Sequence, residues 1–163
     1  MIAMQVSDGD HEDGRPDGNA GDGLDQGIPF ESRMMYTEII MDYYRNPRCF
    51  GTLDSPTFKA RDTNPSCGDI IEIQVLLDRD NVITDIKFSG KGCAISQAAA
   101  SMLAESVIGK PLEEVSRVGK EQVLEMIGIP VSMMRLKCAL LGLKVLKVGA
   151  YKYLGREIEE EEP

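Results

Sequence analysis

Cysteine is the residue type in this chain best suited to chemistry, and three of the four cysteines stand beside turn residues or cations. Cys67 follows an Asn-Pro-Ser turn, Cys93 ends a Gly-Lys-Gly stretch before a helical pattern, and Cys138 follows Arg135 and Lys137. A helix N-terminus or a nearby cation stabilises a thiolate. Cysteines that only pack are more often found within elements, among apolar neighbours. We therefore predict that Cys67, Cys93 and Cys138 are metal ligands or reactive thiols.

An acidic side chain accompanies the first of these cysteines. Asp69 stands two residues after Cys67 at the start of a predicted strand, where residues i and i+2 point to the same face. Three thiolates and one carboxylate form a tetrahedral donor set that suits zinc, and thiolates also select iron or an iron–sulfur cluster. A carboxylate exchanges more readily than a fourth thiolate, which favours a labile site. On residue types alone, three unrelated buried cysteines remain an open alternative.

A single histidine narrows the possible chemistry. It is His11, in a segment predicted to be disordered, so a Cys–His nucleophile pair or a histidine-bearing zinc site is excluded from the folded domain. Metal ligands must then come from Cys, Asp and Glu. The fourth cysteine, Cys49, is predicted to be a thiol that only packs.

The formal net charge of −9 comes mainly from the two ends of the chain. Residues 1–29 hold seven acidic residues and one arginine, and residues 156–163 hold five glutamates and one arginine. Both segments are predicted to be acidic tails, the first disordered because it has few large apolar residues to offset the entropy of ordering. Residues 30–155 hold 16 basic and 15 acidic residues, so we expect a single near-neutral domain that does not bind nucleic acid.

The apolar residues give no sign of a membrane protein or a secreted protein. The sequence contains no run of 18 apolar residues, and its N-terminus lacks the basic and apolar regions of a secretory signal. We therefore expect a cytoplasmic protein with reduced thiols and no membrane partner.

Hydrophobic periodicity predicts the elements that must position these residues. The predicted helices span 34–45, 94–108, a short helix from Pro111 to about Val115, about 119–127, and a last helix from 132 or 139 to 154. The predicted strands span 69–77 and 83–89, joined by a polar turn, with a weaker strand at 57–63. Strands followed by helices indicate an α+β fold, in which a small antiparallel sheet of about three strands carries helices packed on one face.

Four short motifs occur in order along residues 34–152. They read Tyr43-Tyr44-Arg45-Asn46-Pro47-Arg48, Asn64-Pro65-Ser66-Cys67-Gly68-Asp69, Gly90-Lys91-Gly92-Cys93-Ala94-Ile95-Ser96-Gln97-Ala98 with Ser101-Met102, and Lys137-Cys138-Ala139. Together, in this order, they resemble the U-type iron–sulfur cluster scaffold family, which includes IscU, SufU and the N-terminal domain of NifU.

The resemblance implies a fold, a ligand set and partners. It implies a small antiparallel sheet with helices packed on it, and it implies that Cys67, Cys93 and Cys138 bind the cluster. It implies that Asp69 can ligate zinc and promotes cluster release, and that Cys138 accepts persulfide sulfur from a cysteine desulfurase. Zinc is then the expected resting metal, iron or a [2Fe-2S] cluster the transient cargo, and recipient apoproteins the destination.

Two departures make this chain a mixed type, closest to SufU-like members. IscU-type members carry a histidine before the third cysteine and a Leu-Pro-Pro-Val-Lys chaperone-binding motif. This chain has Lys137 there and Ile-Pro-Val-Ser-Met-Met over 129–134, so a chaperone interaction is not predicted. The Arg135-x-Lys137-Cys138 pattern is similar to SufU, but the 45-residue spacing from Cys93 leaves no room for the SufU insertion.

Three functions remain open at this point. The first is an iron–sulfur cluster assembly scaffold, and the second is a zinc-dependent sulfurtransferase that activates a desulfurase without holding a cluster. The third is a zinc-stabilised domain without sulfur chemistry. In the first two, Cys138, Asp69, Lys137 and Arg135 carry the chemistry, with Lys137 steering a persulfide or pairing with Asp69. We expect a scaffold or sulfur acceptor rather than an enzyme.

Overall fold

The computed structural model describes residues 29–155, which form five helices and three strands. The helices are α1 (Phe30–Arg45), α2 (Ala94–Val107), α3 (Leu112–Val115), α4 (Lys120–Ile127) and α5 (Met133–Leu154). The strands are β1 (Phe58–Asn64), β2 (Asp69–Leu77) and β3 (Ile83–Lys91). The two predicted acidic tails lie outside the described residues, apart from Pro29.

The three strands form one antiparallel sheet in the order β1-β2-β3. The register pairs Phe58 with Val75 at one end of β1 and Asn64 with Asp69 at the other. The prediction of three strands is therefore confirmed, including the weaker first one. Because Asn64 and Asp69 are cross-strand neighbours, one end of the sheet places two buried polar side chains beside each other.

The inner face of the sheet is apolar and covered by helices. Its largest side chains are at most 1% exposed: Ile71, Ile73, Val75, Ile86 and Phe88. Helices α2 and α5 pack on this face, as predicted, and removal of these side chains from water is the main force that holds the layers together. On the opposite face, the loop before β1 crosses the central strand, where the Leu53 N–H donates to Gln74 Oε1 (2.8 Å).

Helices α2 and α5 approach each other closely through small residues. A Cβ atom on Gly142 of α5 would lie 3.3 Å from the Ala100 Cβ of α2, so the glycine allows the two backbones to come together. Ten of the 14 residues of α2 are buried, which makes it the central helix of the core. Any side chain at the start of α2 is consequently held in a fixed position relative to α5.

Helix α1 and the loop after it are attached to α2 by polar contacts. Tyr43 donates from its hydroxyl to Glu105 Oε2 (2.8 Å), and the Arg48 guanidinium lies 4.0 Å from the centre of the Tyr43 ring. Ser101 is fully buried; its Oγ accepts from the Arg48 N–H (2.7 Å) and donates to the Arg48 carbonyl (3.0 Å). The Tyr-Tyr-Arg-Asn-Pro-Arg motif thus fixes α1 against the central helix.

The start of one helix differs from its predicted position by four residues, and the start of another decides between two predicted positions. Helix α1 begins at Phe30 rather than residue 34, because Pro29 supplies an extended N-cap whose carbonyl accepts from Arg33 N–H (3.0 Å). Helix α5 takes the earlier of its two predicted starts, since the Ser132 hydroxyl accepts from the Arg135 N–H (3.3 Å) as an N-cap. Among the described helices, none has both the length and the apolar character needed to cross a membrane.

Candidate metal centre

The turn between β1 and β2 presents Cys67. The Asn64 carbonyl accepts from the N–H groups of Cys67 (3.2 Å) and Gly68 (2.8 Å), and the Asn64 Oδ1 accepts from the Ser66 N–H (3.2 Å). Gly68 has a φ of 73°, in the left-handed region that glycine adopts without strain. This turn holds Cys67, half-buried, at the polar end of the sheet.

Asp69 begins β2 and is only 1% exposed. Its Oδ1 accepts a hydrogen bond from the Cys93 N–H (3.1 Å). A Cβ atom on Gly92 would lie 2.6 Å from the same oxygen, so glycine at 92 lets the backbone approach the carboxylate. The Asp69 Oδ2 is buried and has no hydrogen-bond partner among the described residues. Burying a polar atom without a partner is costly, so this oxygen is well placed to bind a cation.

Cys138 lies in the second turn of α5 and is fully buried. Its Sγ lies 3.2 Å from the Cys67 Sγ and 3.8 Å from the Asn64 Nδ2, which donates to it. Burial raises the pKa of the Cys138 thiol, and the adjacent Asp69 carboxylate and Cys67 sulfur raise it further. A cation at this place would reverse that preference, because metal binding favours the thiolate.

Two cysteine sulfurs and one carboxylate therefore share one small space. The ligand atoms of Cys67, Asp69 and Cys138 all lie within 4.8 Å of one another. Soft thiolates with one carboxylate suit zinc or iron, and the unpartnered Asp69 oxygen offers a further reason for a cation there. The residues present fit a metal ion, and they do so without any histidine.

Cys93 contacts this centre through its backbone N–H, which donates to Asp69. It is the N-cap of α2, and its Sγ accepts from the Ser96 N–H at 3.5 Å. Its sulfur is not within 4.8 Å of all three ligand atoms of the group formed by Cys67, Asp69 and Cys138. The structure thus brings three of the four predicted ligands together, and the role of Cys93 as a ligand stays a prediction.

The two predicted cations near Cys138 differ in their surroundings. The negative charge of the Cys93 thiolate raises the pKa of Arg135, and the nearness of the guanidinium to the sulfurs of Cys138 and Cys93 adds to the effect. Arg135 and Lys137 are both exposed on α5. Arg135 is therefore the cation that approaches two of the predicted ligand sulfurs.

Asn64 was not among the site residues predicted from the sequence. Its identity was visible within the Asn-Pro-Ser-Cys-Gly-Asp motif, where an asparagine before proline is typical of a turn. The direction of its amide toward Cys138, 74 residues further on, has no signal in the local sequence. Cys49 is half-buried against the core, and burial raises the pKa of its thiol, in line with the prediction that it only packs.

The fold and this site together define a class of protein: a small α+β domain with a candidate metal centre, lined by cysteine and aspartate, at one end of its sheet. Comparison with known proteins agrees with this description of the fold. Residues 35–160 match the family described as the NifU-like N-terminal domain. The chain therefore belongs to the NifU-like N-terminal domain family.

Relatives in this family carry two kinds of name. The chain is 31% identical over 132 residues to the iron-sulfur cluster assembly scaffold protein IscU of Haemophilus influenzae, covering 76% of this chain and 99% of the relative. It is 36% identical over 138 residues to the zinc-dependent sulfurtransferase SufU of Bacillus subtilis, covering 74% and 92%. The IscU-like and SufU-like resemblance stated from the motifs is thus confirmed.

Solved structures agree with this membership. A Fervidobacterium islandicum protein described as an iron–sulfur cluster assembly scaffold for the SUF system superposes with a TM-score of 0.63 at 31% identity, covering 73% of this chain and 98% of that one. The N-terminal part of a nitrogen-fixing NifU-like protein from Brucella abortus, at 22% identity and a TM-score of 0.61, shares the fold.

Proposed function

We propose that this protein is an iron–sulfur cluster assembly scaffold. It takes sulfur from a cysteine desulfurase, binds iron or a cluster through Cys67, Cys93, Cys138 and Asp69, and passes the product to recipient apoproteins. The observation that carries the proposal is the grouping of two cysteine sulfurs with the buried, half-satisfied carboxylate of Asp69. Family membership and the names of the relatives support it.

In this proposal, Cys138 is the residue that accepts sulfur. Its thiolate attacks the outer sulfur of a persulfide on the desulfurase cysteine, a new S–S bond forms, and the old S–S bond breaks. The electron pair leaves with the desulfurase sulfur, so the persulfide is now on Cys138 and no net oxidation occurs. Because Cys138 is fully buried, the first turns of α5 must open when the desulfurase docks.

The remaining residues have supporting roles. Arg135 balances the charge of the nearby thiolates of Cys93 and Cys138, and Lys137, one residue before the acceptor and also exposed, can meet an incoming anionic persulfide. Asp69 supplies the oxygen ligand that exchanges most readily. The protein then acts as a scaffold and sulfur acceptor and not as an enzyme in its own right.

A zinc-dependent sulfurtransferase is the second candidate function. The SufU relative carries that name, and its identity to this chain is 36%. Two sulfurs and a carboxylate suit zinc as the resting metal, which would hold the ligand residues in position until sulfur arrives. No relative's name supports the third possibility, a domain that zinc only stabilises. In such a domain, Asp69→Ala would leave any activity unchanged.

Partners and location follow from the same chemistry. We infer a cysteine desulfurase and recipient apoproteins as partners, no nucleic acid or membrane, and no chaperone of the kind that reads Leu-Pro-Pro-Val-Lys. A cytoplasmic location suits this proposal, because the ligand cysteines bind metal only when reduced.

Anaerobic reconstitution with iron, a sulfur source and a desulfurase tests the proposal. We expect a visible chromophore that can be transferred to an apoprotein, and we expect Cys138→Ser to abolish the persulfide detected on this protein by mass spectrometry. The matched control is Cys49→Ser, which should behave like the wild type. Zinc binding and faster desulfurase turnover without a chromophore would favour the sulfurtransferase. Normal persulfide formation in Cys138→Ser would refute the choice of acceptor.

A further inference from the structure

Asn64 contacts a cysteine of the candidate metal centre in addition to its hydrogen bonds in the turn. It is 6% exposed, and its Nδ2 donates to the Cys138 Sγ at 3.8 Å. The sulfur acceptor of the proposed function therefore carries a hydrogen bond from a buried amide. The donor comes from β1, while the sulfur comes from α5, so the bond joins the two parts of the centre.

The same residue also orders the other side of the centre. Its carbonyl accepts from the N–H groups of Cys67 and Gly68, and its Oδ1 accepts from the Ser66 N–H. In the sheet it is the direct cross-strand partner of Asp69. Both ends of its amide are thus engaged, which fixes the orientation of the Nδ2 toward Cys138.

We propose that Asn64 is a positioning residue that holds the Cys138 sulfur toward the metal and withdraws part of its negative charge. This inference rests on the proposed function, because it concerns the same sulfur. Hydrogen bonds to a thiolate ligand orient it and reduce the electron density that it gives to a metal. The side-chain donor to the Cys67 sulfur is the Cys138 thiol itself (3.2 Å), and that proton is lost when Cys138 binds a metal, whereas the Asn64 amide can still donate to Cys138. Asn64 therefore makes the two sulfurs of the centre unequal.

Two substitutions separate this role from that of the turn. Asn64→Ser keeps a side-chain oxygen that can accept from the backbone of the turn, but it is too short to reach Cys138. Asn64→Ala removes both the turn acceptor and the sulfur donor. Asn46→Ser, at the exposed end of α1, is the matched control.

Cobalt(II) is the probe, because its thiolate complexes absorb in the near ultraviolet and its ligand set is visible in the d–d bands. We expect Asn64→Ser to move the sulfur-to-cobalt charge-transfer band to lower energy and to weaken cobalt binding by roughly 10-fold. We also expect less persulfide on Cys138 after reaction with a desulfurase, with the thermal midpoint close to that of the wild type. Asn64→Ala should show the same band shift and a lower thermal midpoint.

The outcomes distinguish this inference from the function on which it rests. A wild-type protein that binds no cobalt and accepts no sulfur overturns the proposed function. Wild-type binding and acceptance, with an Asn64→Ser spectrum and affinity like those of Asn46→Ser, overturns only the role of Asn64. A change in the cobalt spectrum and affinity of Asn64→Ala, without such a change in Asn64→Ser, would also overturn the role of Asn64. Asn64 would then act on the centre only through the turn.

Discussion

At the scale of single residues, Asp69 divides its carboxylate between two tasks. One oxygen accepts a backbone hydrogen bond from Cys93, while the other is buried without a partner among the described residues. The first oxygen fixes the orientation of the group, and the second remains available to a cation. The same carboxylate lies next to the Cys138 sulfur and, together with burial, raises the pKa of that thiol.

The two cations before Cys138 should differ in importance. Arg135 lies near the sulfurs of Cys93 and Cys138, so Arg135→Gln removes a charge that balances the thiolates. We expect this substitution to weaken zinc binding by about 10-fold, measured by competition with a chromophoric chelator. Lys137→Gln removes the same charge from a side chain that is equally exposed but is not placed near a sulfur by any described interaction, and it should change zinc affinity less than twofold. Equal losses in the two variants would contradict the distinction.

At the scale of elements, the centre depends on how the start of α2 and the start of α5 are held against one end of the sheet. Cys67 comes from the β1–β2 turn, Asp69 is the first residue of β2, and Cys138 comes from α5. Helix α2 connects them, since its N-cap binds Asp69 and its small residues pack against Gly142. The geometry of the site is therefore a property of the packing of these elements rather than of any one loop.

Ser101 provides a test of the attachment between α2 and the loop after α1. Ser101→Ala leaves the Arg48 N–H without its buried acceptor, and we expect the free energy of unfolding to fall by about 1–3 kcal/mol. The matched control is Ser106→Ala in the same helix, where the hydroxyl bonds only to the Leu103 carbonyl. Urea denaturation of both variants measures the difference, and equal stability of the two would contradict the importance of this contact.

At the scale of the whole molecule, a bound metal links strands and helices that are distant in sequence. Cys67 and Cys138 are 71 residues apart in sequence, and their sulfurs meet only in the folded chain. A ligand that binds the folded state and not the unfolded one stabilises the fold by mass action. The stability of the domain should therefore depend on metal, although its apolar core is complete without one.

Zinc should raise the thermal midpoint of the protein, and a chelator should reverse the effect. At free zinc 100-fold above the dissociation constant the gain is about 2.7 kcal/mol, which corresponds to roughly 10 °C for a domain of this size. Cys67→Ser should abolish most of this shift, and Cys49→Ser should retain it. Differential scanning fluorimetry with and without zinc measures all three proteins; a full shift in Cys67→Ser would argue against the centre.

The sequence predicted those parts of the centre that depend on local pattern. The i, i+2 spacing placed Asp69 beside Cys67, and the alternation of β2 placed both at the end of a sheet. The Asn64–Cys138 contact was not predictable, because it depends on how α5 packs on β1. The position of the Cys93 sulfur was not predicted either, since a cysteine at a helix start can serve as a cap or as a ligand, and spacing does not distinguish these.

The N-cap of α2 would be affected if a cation bound in the centre. The Cys93 sulfur accepts the Ser96 N–H, one of the amides that a helix leaves without an internal partner. If that sulfur turns toward a cation, the amide must give up its acceptor or share it with the ion. Filled and empty forms of the protein would then differ in the main chain of its most deeply buried helix, beyond the side chains that hold the cargo.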